Sequence, residues 1–238
     1  MRRARIVVLD ASHGNEDTRR NFRRELDADL VEYDVTEGDV PTSVEFDGVV
    51  VTGSRASVYW DEPWIPAVKA WVGDAIDAGL PILGVCWGHQ LVADVLGGEV
   101  AAMDAYELGY ATIERTTAES RLLEGIDDRF TAFATHSDEV VELPPGAELL
   151  AENDRSIHAF RKEAVYGVQF HPEYDRGTAR RVTEGKRDGE ASEELIEKAL
   201  DSIDDENYAA ACETKQLFDN FLQIVAESRL DGGEQAHA

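Results

Sequence analysis

The first hundred residues alternate between short apolar runs and stretches with a helical pattern. The runs fall at residues 5–10, 30–35, 46–53 and 81–85, and most of them show almost no alternation of polar and apolar side chains. Such runs are typical of strands covered on both faces, as in parallel sheets. The sequence therefore predicts an α/β fold of three layers, with a mainly parallel central sheet flanked by helices.

The helical stretches carry boundary signals of their own. Trp64, Val68, Trp71 and Ala75 form one apolar stripe at helical spacing, and Gly79 follows as a stop signal. Helical patterns also cover residues 15–29 and 88–96.

After residue 99 the pattern changes to short β-like segments, which predict an antiparallel extension of the sheet. These segments are 111–113, 130–135, 140–141, 148–151, 157–160 and 165–170. Residues 176–228 predict additional C-terminal helices, one of them over about 206–226, and residues 229–238 a frayed tail. We expect residues 1–238 to form a single domain.

The charge balance excludes two classes of partner. The chain has 23 Lys and Arg residues against 49 Asp and Glu residues, a net charge of −26, while 43% of its residues are hydrophobic. That apolar content is enough for a folded core, but the charge has the wrong sign for binding nucleic acid or an anionic membrane surface. No apolar run approaches the ~20 residues that span a bilayer. Two Cys residues and no signal-peptide core predict a cytoplasmic protein.

One strand–helix junction carries a candidate nucleophile. Cys86 lies between Gly84 and Gly88, in the Gly-x-Cys-x-Gly frame of a nucleophile elbow. The glycines allow a sharp turn that places the sulfur at a helix N-terminus, where the helix dipole and free N–H groups stabilise an anion. The alternative is a buried Cys in a core strand, which is a common place for this residue type.

A candidate base follows the last predicted strand. His171 comes directly after the apolar segment 165–170, and Glu173 stands two residues further on. One ring nitrogen of His171 can face a thiol while the other donates to Glu173, which fixes the tautomer. The alternative is a surface His-Pro-Glu turn, and the presence of the elbow disfavours it.

The first predicted helix carries a basic patch, which consists of Arg19, Arg20, Arg23 and Arg24. Such a patch could dock a partner or an anionic substrate. Because Glu16 lies four residues before Arg20, a salt-bridged surface is the favoured interpretation.

The elbow and the His-Pro-Glu segment together resemble a known family. Residues 84–90, Gly-Val-Cys-Trp-Gly-His-Gln, and residues 167–173, Gly-Val-Gln-Phe-His-Pro-Glu, are similar to the class I glutamine amidotransferases, especially to their GMP-synthetase-like stand-alone members. The resemblance covers about residues 5–175. It implies a flavodoxin-like fold there, with residues 176–228 as helices beyond the family core.

The resemblance implies a catalytic triad of Cys86, His171 and Glu173. In the family such a triad hydrolyses the side-chain amide of glutamine through a γ-glutamyl thioester and releases ammonia. The resemblance implies no cofactor. The six His residues show no spacing typical of metal ligands, so the sequence predicts no metal site.

The resemblance also implies residues that hold the substrate. The oxyanion would be held by the backbone N–H of Trp87 and by an N–H of the Gly53-Ser54 turn. The glutamine head group would contact three further residues, which are Gln90, His136 and Ser137. Where full synthetases have Ser-Gly-Gly-Pro, residues 52–55 are Thr-Gly-Ser-Arg, so Ser54 has to supply its N–H from a geometry that glycine adopts more easily.

Several functions fit these residues. The sequence shows no Gly-rich phosphate loop and no second α/β domain, so an amidotransferase of this kind would pass its ammonia to a separate synthetase. A free-standing γ-glutamyl hydrolase or peptidase is an alternative. A non-catalytic binding or regulatory protein on the same scaffold is disfavoured, because it has no physical need for an intact Cys-His-Glu set.

The composition generates a prediction about salt. Of the 23 basic residues, 18 are Arg and five are Lys, and this skew beside abundant carboxylates fits life in molar salt, where a Debye length of ~3 Å screens self-repulsion. We expect the Tm, measured by circular dichroism, to rise between dilute buffer and molar KCl. An ordinary acidic protein, the alternative, would show no such rise.

Overall fold

The computed structural model describes residues 2–116, 119–189 and 191–235, with side chains as far as residue 230. At its centre lies a nine-stranded mixed sheet with the strand order β2-β1-β3-β4-β9-β8-β7-β5-β6. Helices cover both faces of this sheet. The predicted three-layer α/β fold is confirmed.

Five neighbouring strands form the parallel half of the sheet. They are β1 (Arg5–Asp10), β2 (Asp29–Asp34), β3 (Gly48–Val51), β4 (Ile82–Val85) and β9 (Val165–Val168). Each pairs with its neighbour in parallel. All residues of β3, β4 and β9 are buried, as expected for strands covered on both faces.

The remaining strands form the predicted antiparallel extension. They are β5 (Glu99–Arg115), β6 (Arg129–Glu142), β7 (Glu148–Glu152) and β8 (Ile157–Lys162). The prediction of separate short segments at 111–113, 130–135 and 140–141 is wrong, because β5 and β6 are long strands that pair over most of their length. Polar residues at 136–139 interrupt the apolar pattern, but cross-strand pairing with β5 continues past them.

Four helices cover the parallel half: two connect parallel strands, a third leads from β4 to β5, and the fourth lies near the C-terminus. α1 (Glu16–Glu25) packs on one face of the sheet beside α7 (Gln216–Gln235), with the rings of Phe22 and Phe218 at a centroid distance of 6.1 Å. α2 (Trp64–Asp77) and α3 (Trp87–Val95) cover the other face. The predicted bounds of α2 and α3 agree with the structure to within one residue.

The C-terminal region is helical, as predicted, but it is divided differently. α4 (Arg176–Gly185) and α5 (Glu193–Ser202) pack over β5 and β6. The single helix predicted over 206–226 is instead α6 (Asp205–Ala211), a 3₁₀ turn at Cys212–Lys215 and α7. The buried Thr214 donates from its hydroxyl to the carbonyl of Ala211, and such bonds compete with regular helix geometry.

Helix α7 continues to Gln235, into the segment that the sequence predicts to be frayed. Arg229 explains part of this difference, since its guanidinium lies 3.3 Å from Asp47 and donates to the carbonyl of Arg2. Residues 236–238 lie outside the described residues. In the described part of the chain, no helix is both long and apolar enough to cross a membrane.

Two glycines allow β4 and α3 to pack closely against β3. A Cβ on Gly84 would lie 2.3 Å from the carbonyl oxygen of Gly88, and a Cβ on Gly88 would lie 2.3 Å from the carbonyl oxygen of Val51. Both contacts are with backbone, which has no flexible end to move away. The Gly-x-Cys-x-Gly frame is therefore required by packing.

This packing predicts opposite effects for two Gly→Ala substitutions. Gly88→Ala places a methyl group against the Val51 carbonyl, and we expect a loss of about 2 kcal/mol or more in the free energy of unfolding. Gly73→Ala is the matched control, because Gly73 lies within α2 with open space around it, and we expect a gain of about 0.5–1 kcal/mol. Urea unfolding measures both values. Equal stability of the two variants would contradict the packing argument.

Candidate active site

Cys86 occupies the turn between β4 and α3. Its backbone has φ 54° and ψ −104°, and it is one of three non-glycine residues with positive φ in the described part of the chain. Its N–H donates to the carbonyl of Val168, which continues the pairing with β9, and its carbonyl accepts from Gln90 in the first turn of α3. Cys86 therefore stands at the N-terminus of α3, as predicted.

His171 and Glu173 follow β9, the strand next to β4. The backbone N–H of His171 donates to the carbonyl of Phe133 in β6, which fixes this segment against the antiparallel half. Nδ1 of His171 donates to Oε1 of Glu173 at 2.8 Å, and both side chains are buried. The pairing predicted from the sequence is present.

Gly53 lies where the three functional elements meet. A Cβ on Gly53 would lie 3.1 Å from Cε1 of His171 and 3.5 Å from Cβ of Cys86. The turn after β3, the elbow and the segment after β9 thus converge on one point. The structure brings together Cys86, His171 and Glu173 beside the Gly53-Ser54 turn.

The buried imidazole of His171 is held in its charged form. Burial by itself lowers its pKa, but the negative charges of Glu173 and Cys86 and hydrogen bonds to both raise the pKa to about 10. Since Nδ1 faces Glu173, Nε2 is the nitrogen available to the sulfur and to a leaving group. This arrangement provides a nucleophile next to a general acid.

Tyr174 also belongs to the site, although the sequence did not indicate it. Its ring stacks on the imidazole of His171, with a centroid distance of 4.1 Å and an interplanar angle of 22°. Burial, followed by the charge of Glu173, raises the pKa of Tyr174 well above its usual value, so the phenol stays neutral. The only sequence signal was an aromatic residue directly after the His-Pro-Glu segment.

The basic patch of α1 is fully engaged in ion pairs. The main pairs are Arg19–Asp10, Arg20–Asp175, Arg23–Glu32 and Arg24–Asp175. Within α1, Arg20 pairs with Asp17 rather than with Glu16, the partner expected from the sequence. The salt-bridged interpretation thus agrees with the structure.

Two of these arginines hold the segment that carries Glu173. Arg20 and Arg24 lie 3.0 Å and 3.1 Å from Oδ2 of Asp175, and Arg24 also donates to the backbone carbonyl of Glu173 at 2.6 Å. Because α1 packs firmly on the sheet, it supports the residues that follow His171.

A cavity of about 440 Å³ opens above Cys86 and His171. Its wall includes all the other residues that the resemblance assigned to the substrate except Trp87, namely Gly53, Ser54, Gln90, His136 and Ser137. Ser54 is not among the described residues with positive φ, so its backbone does not need the geometry of glycine. Trp87 begins α3, so its N–H has no acceptor within the helix and is available for an oxyanion.

Gln90 and His136 share a backbone acceptor. Nε2 of Gln90 and Nδ1 of His136 each lie 2.9 Å from the carbonyl oxygen of Asp138. The second ring nitrogen of His136 faces the carboxylate of Glu107, also at 2.9 Å. Ser137, between them in sequence, is exposed to the cavity.

The family model described as "Glutamine amidotransferase class-I" matches residues 8–184. The chain belongs to this family. The GMP synthase [glutamine-hydrolyzing] of Thermomicrobium roseum is 37% identical over 173 residues, which cover 71% of this amidotransferase chain and 31% of that protein. The GMP synthase of Vibrio vulnificus strain YJ016 is 35% identical over 178 residues, 71% of this chain and 32% of that protein. The chain thus spans about a third of the length of these curated relatives.

Solved structures show the same fold. A glutamine amidotransferase from Thermotoga maritima has a TM-score of 0.79 and 21% identity, with 93% of this chain and 99% of that one covered. A glutamine amidotransferase from Methylobacillus flagellatus has a TM-score of 0.76 and 20% identity, with 94% and 95% covered. The coverage includes most of the C-terminal helices of this amidotransferase.

The charged state of His171 predicts a titration that depends on its neighbours. The pKa of His171 is about 10 in the folded protein and about 6.5 in the unfolded chain. Protonated His171 therefore stabilises the fold fully below pH 6.5, and this contribution is lost as the pH rises toward 10. Glu173→Gln removes the charge that raises the His171 pKa most. We therefore expect a larger decrease in this pKa in Glu173→Gln than in Cys86→Ser. NMR titration of the histidine ring signals measures each value. An unchanged pKa in Glu173→Gln would contradict this assignment.

Proposed function

We propose that the chain hydrolyses the side-chain amide of glutamine to glutamate and ammonia, with Cys86, His171 and Glu173 as its catalytic triad. The observation that carries the proposal is the placement of Cys86 at positive φ before α3, next to a His171 whose other nitrogen is bound to Glu173. Membership in the class I glutamine amidotransferases supports the same reaction.

The first half-reaction would form a thioester. The proton of Cys86 already rests on Nε2 of His171, and the thiolate attacks the amide carbon of glutamine. The oxyanion that forms accepts hydrogen bonds from the N–H of Trp87 and from the Gly53-Ser54 turn. His171 then protonates the departing nitrogen, and the C–N bond breaks to give ammonia and a γ-glutamyl thioester. Glu173 stabilises the imidazolium throughout.

The second half-reaction would regenerate the ion pair of Cys86 and His171. The now neutral His171 takes a proton from water, and the resulting hydroxide attacks the thioester carbon. The same backbone donors hold the second oxyanion, and its collapse breaks the C–S bond and releases glutamate. The high pKa of His171 favours the ion pair with Cys86 at the end of the cycle.

The substrate would enter the cavity with its amide toward Cys86. Gln90, His136 and Ser137 lie on the wall next to the reacting atoms, and we assign to them the contacts with the glutamine head group. Their hydrogen bonds to the Asp138 carbonyl hold Gln90 and His136 in place before any substrate arrives.

The ammonia would be used by a synthetase activity outside these 238 residues. The relatives named GMP synthase support an acceptor of that type, although the chain matches only about a third of their length.

A cytoplasmic location, adaptation to molar salt and a single domain over 1–238 belong to the same proposal. Two free thiols support the cytoplasm, and the net charge of −26 supports the salt adaptation.

A glutaminase assay in molar KCl tests the triad. We expect ammonia release by the wild type and a decrease in kcat/KM of about 10³-fold or more in Cys86→Ser. Cys212→Ser is the matched control, since it removes the other free thiol, which does not line the cavity, and it should keep full activity. A thiol-reactive glutamine analogue should label Cys86 and not Cys212 by mass spectrometry.

Two results would change the assignment. No ammonia release with or without candidate synthetases, together with no labelling of Cys86, would rule out the reaction. Rapid cleavage of γ-glutamyl dipeptides without any partner would instead favour a free-standing γ-glutamyl hydrolase.

A further inference from the structure

A second polar cluster lies behind the cavity wall, away from Cys86. Its members come from three strands, Glu107 from β5, His136 from β6 and His158 from β8. Oε2 of Glu107 lies 2.9 Å from Nε2 of His136 and 3.3 Å from Nε2 of His158. All three side chains are buried, and one donor atom of each lies within 4.8 Å of the others.

We propose that Glu107, His136 and His158 form a binding site for a divalent transition-metal ion, with Zn²⁺ as the best match. Two imidazole nitrogens and one carboxylate oxygen are a ligand set that zinc accepts, with water in the fourth position. Mg²⁺ and Ca²⁺ prefer oxygen ligands alone. Around a tetrahedral zinc ion neighbouring ligand atoms are about 3.4 Å apart, close to the shorter separations in this cluster.

The surroundings orient two of the ligands. Nδ1 of His136 donates to the carbonyl of Asp138, which leaves Nε2 directed at Glu107. Metal-bound histidines almost always use their second nitrogen in this way. The other oxygen of Glu107 accepts from the side-chain amide of Asn153 at 2.7 Å. Such partners hold the ligand atoms in place before an ion binds.

The hydrogen-bonded pair of Glu107 and His136 does not explain why the third residue of the cluster, His158, is buried there. Its side chain is completely buried, and neither ring nitrogen has a hydrogen-bond partner of good geometry among the described residues. Burial of a polar ring without partners is costly. An ion between Glu107 and His158 would give a ring nitrogen of His158 the partner that it lacks.

The carboxylate of Glu107 supplies the charge that a cation needs. It is buried beside both imidazoles, with Oε2 at 2.9 Å from His136 and 3.3 Å from His158. A singly charged carboxylate with two imidazoles leaves a bound divalent ion only partly neutralised, which favours a hydroxide or water as fourth ligand.

A second surface cavity touches the cluster at Glu107, outside the substrate cavity. Asn153 and Arg155 line this second cavity as well. An ion and its water could arrive through it without passing Cys86. Because His136 also lines the substrate cavity, a bound ion would fasten one wall of that cavity to β5 and β8.

Zinc titration of the full chain tests the site. The background variant is Cys86→Ala, because a thiol beside His171 could itself bind zinc. After chelation and dialysis, Zn²⁺ is titrated in competition with a chromophoric chelator. We expect one zinc ion per chain, and we expect His158→Gln in the same background to weaken the affinity by at least about 100-fold.

A second buried histidine provides the matched control. His89 is fully buried and its pKa is lowered to about 3 by burial, but it does not belong to the cluster. His89→Gln in the same background therefore loses a buried imidazole and should bind zinc with unchanged stoichiometry and affinity. Equal weakening in His89→Gln and His158→Gln would overturn the assignment of ligands.

X-ray absorption of the zinc-loaded Cys86→Ala protein decides the question even if His158→Gln does not fold. We expect scattering from two imidazoles and from oxygen, with no sulfur. Glu107→Gln should weaken zinc binding as His158→Gln does. The proposal is wrong if no stoichiometric zinc binds, or if the bound ion has fewer than two imidazole ligands. None of these measurements depends on glutamine hydrolysis.

Discussion

The close approach of β4 and α3 to β3 is the constraint on which the site depends. Only glycine fits at positions 84 and 88, where backbone from α3 and from β3 fills the space of a side chain. The turn between these glycines forces Cys86 to a positive φ, a conformation that costs of order 1–3 kcal/mol for a residue with a side chain. The packing of the buried strands around the turn offsets the cost of this strain. The strained turn places the sulfur of Cys86 at the N-terminus of α3.

Charge is distributed unevenly over this acidic molecule. The net charge of −26 is carried mainly by the surface, while the segment after β9 is held by the guanidinium groups of Arg20 and Arg24. The only charge that the proposed chemistry takes from the acidic excess is that of Glu173. The acidity of the chain therefore affects how the protein interacts with its solvent. The chemistry of the site depends instead on a few buried ion pairs.

The parts of the fold that could be predicted from the sequence are those with local signals. Continuous apolar runs revealed the parallel strands, and the Gly-x-Cys-x-Gly and His-Pro-Glu segments located Cys86 and His171. The long β5–β6 pair was not predictable in this way, because cross-strand hydrogen bonds rather than side-chain pattern continue it past residues 136–139. The 3₁₀ turn before α7 coincides with a hydrogen bond of the buried Thr214 hydroxyl, which no periodicity records.

Clusters formed by residues that are distant in the sequence could not be predicted from it. Glu107, His136 and His158 are separated by more than twenty residues at each step, so no ligand spacing could reveal them. Tyr174 is adjacent to the His-Pro-Glu segment, yet its stacking on His171 depends on how the chain turns after β9. Chain order alone holds no information about either arrangement.

The register of β4 and β9 has a consequence for how such a protein can change over time. Val85 and Val168 are paired partners, so Cys86, directly after Val85, and His171, three residues after Val168, are spaced by the ladder of the sheet rather than by a flexible connection. Loops around the cavity mouth can then be lengthened, shortened or replaced without moving either group. Substrate preference can diverge through those loops while the reacting pair keeps its geometry.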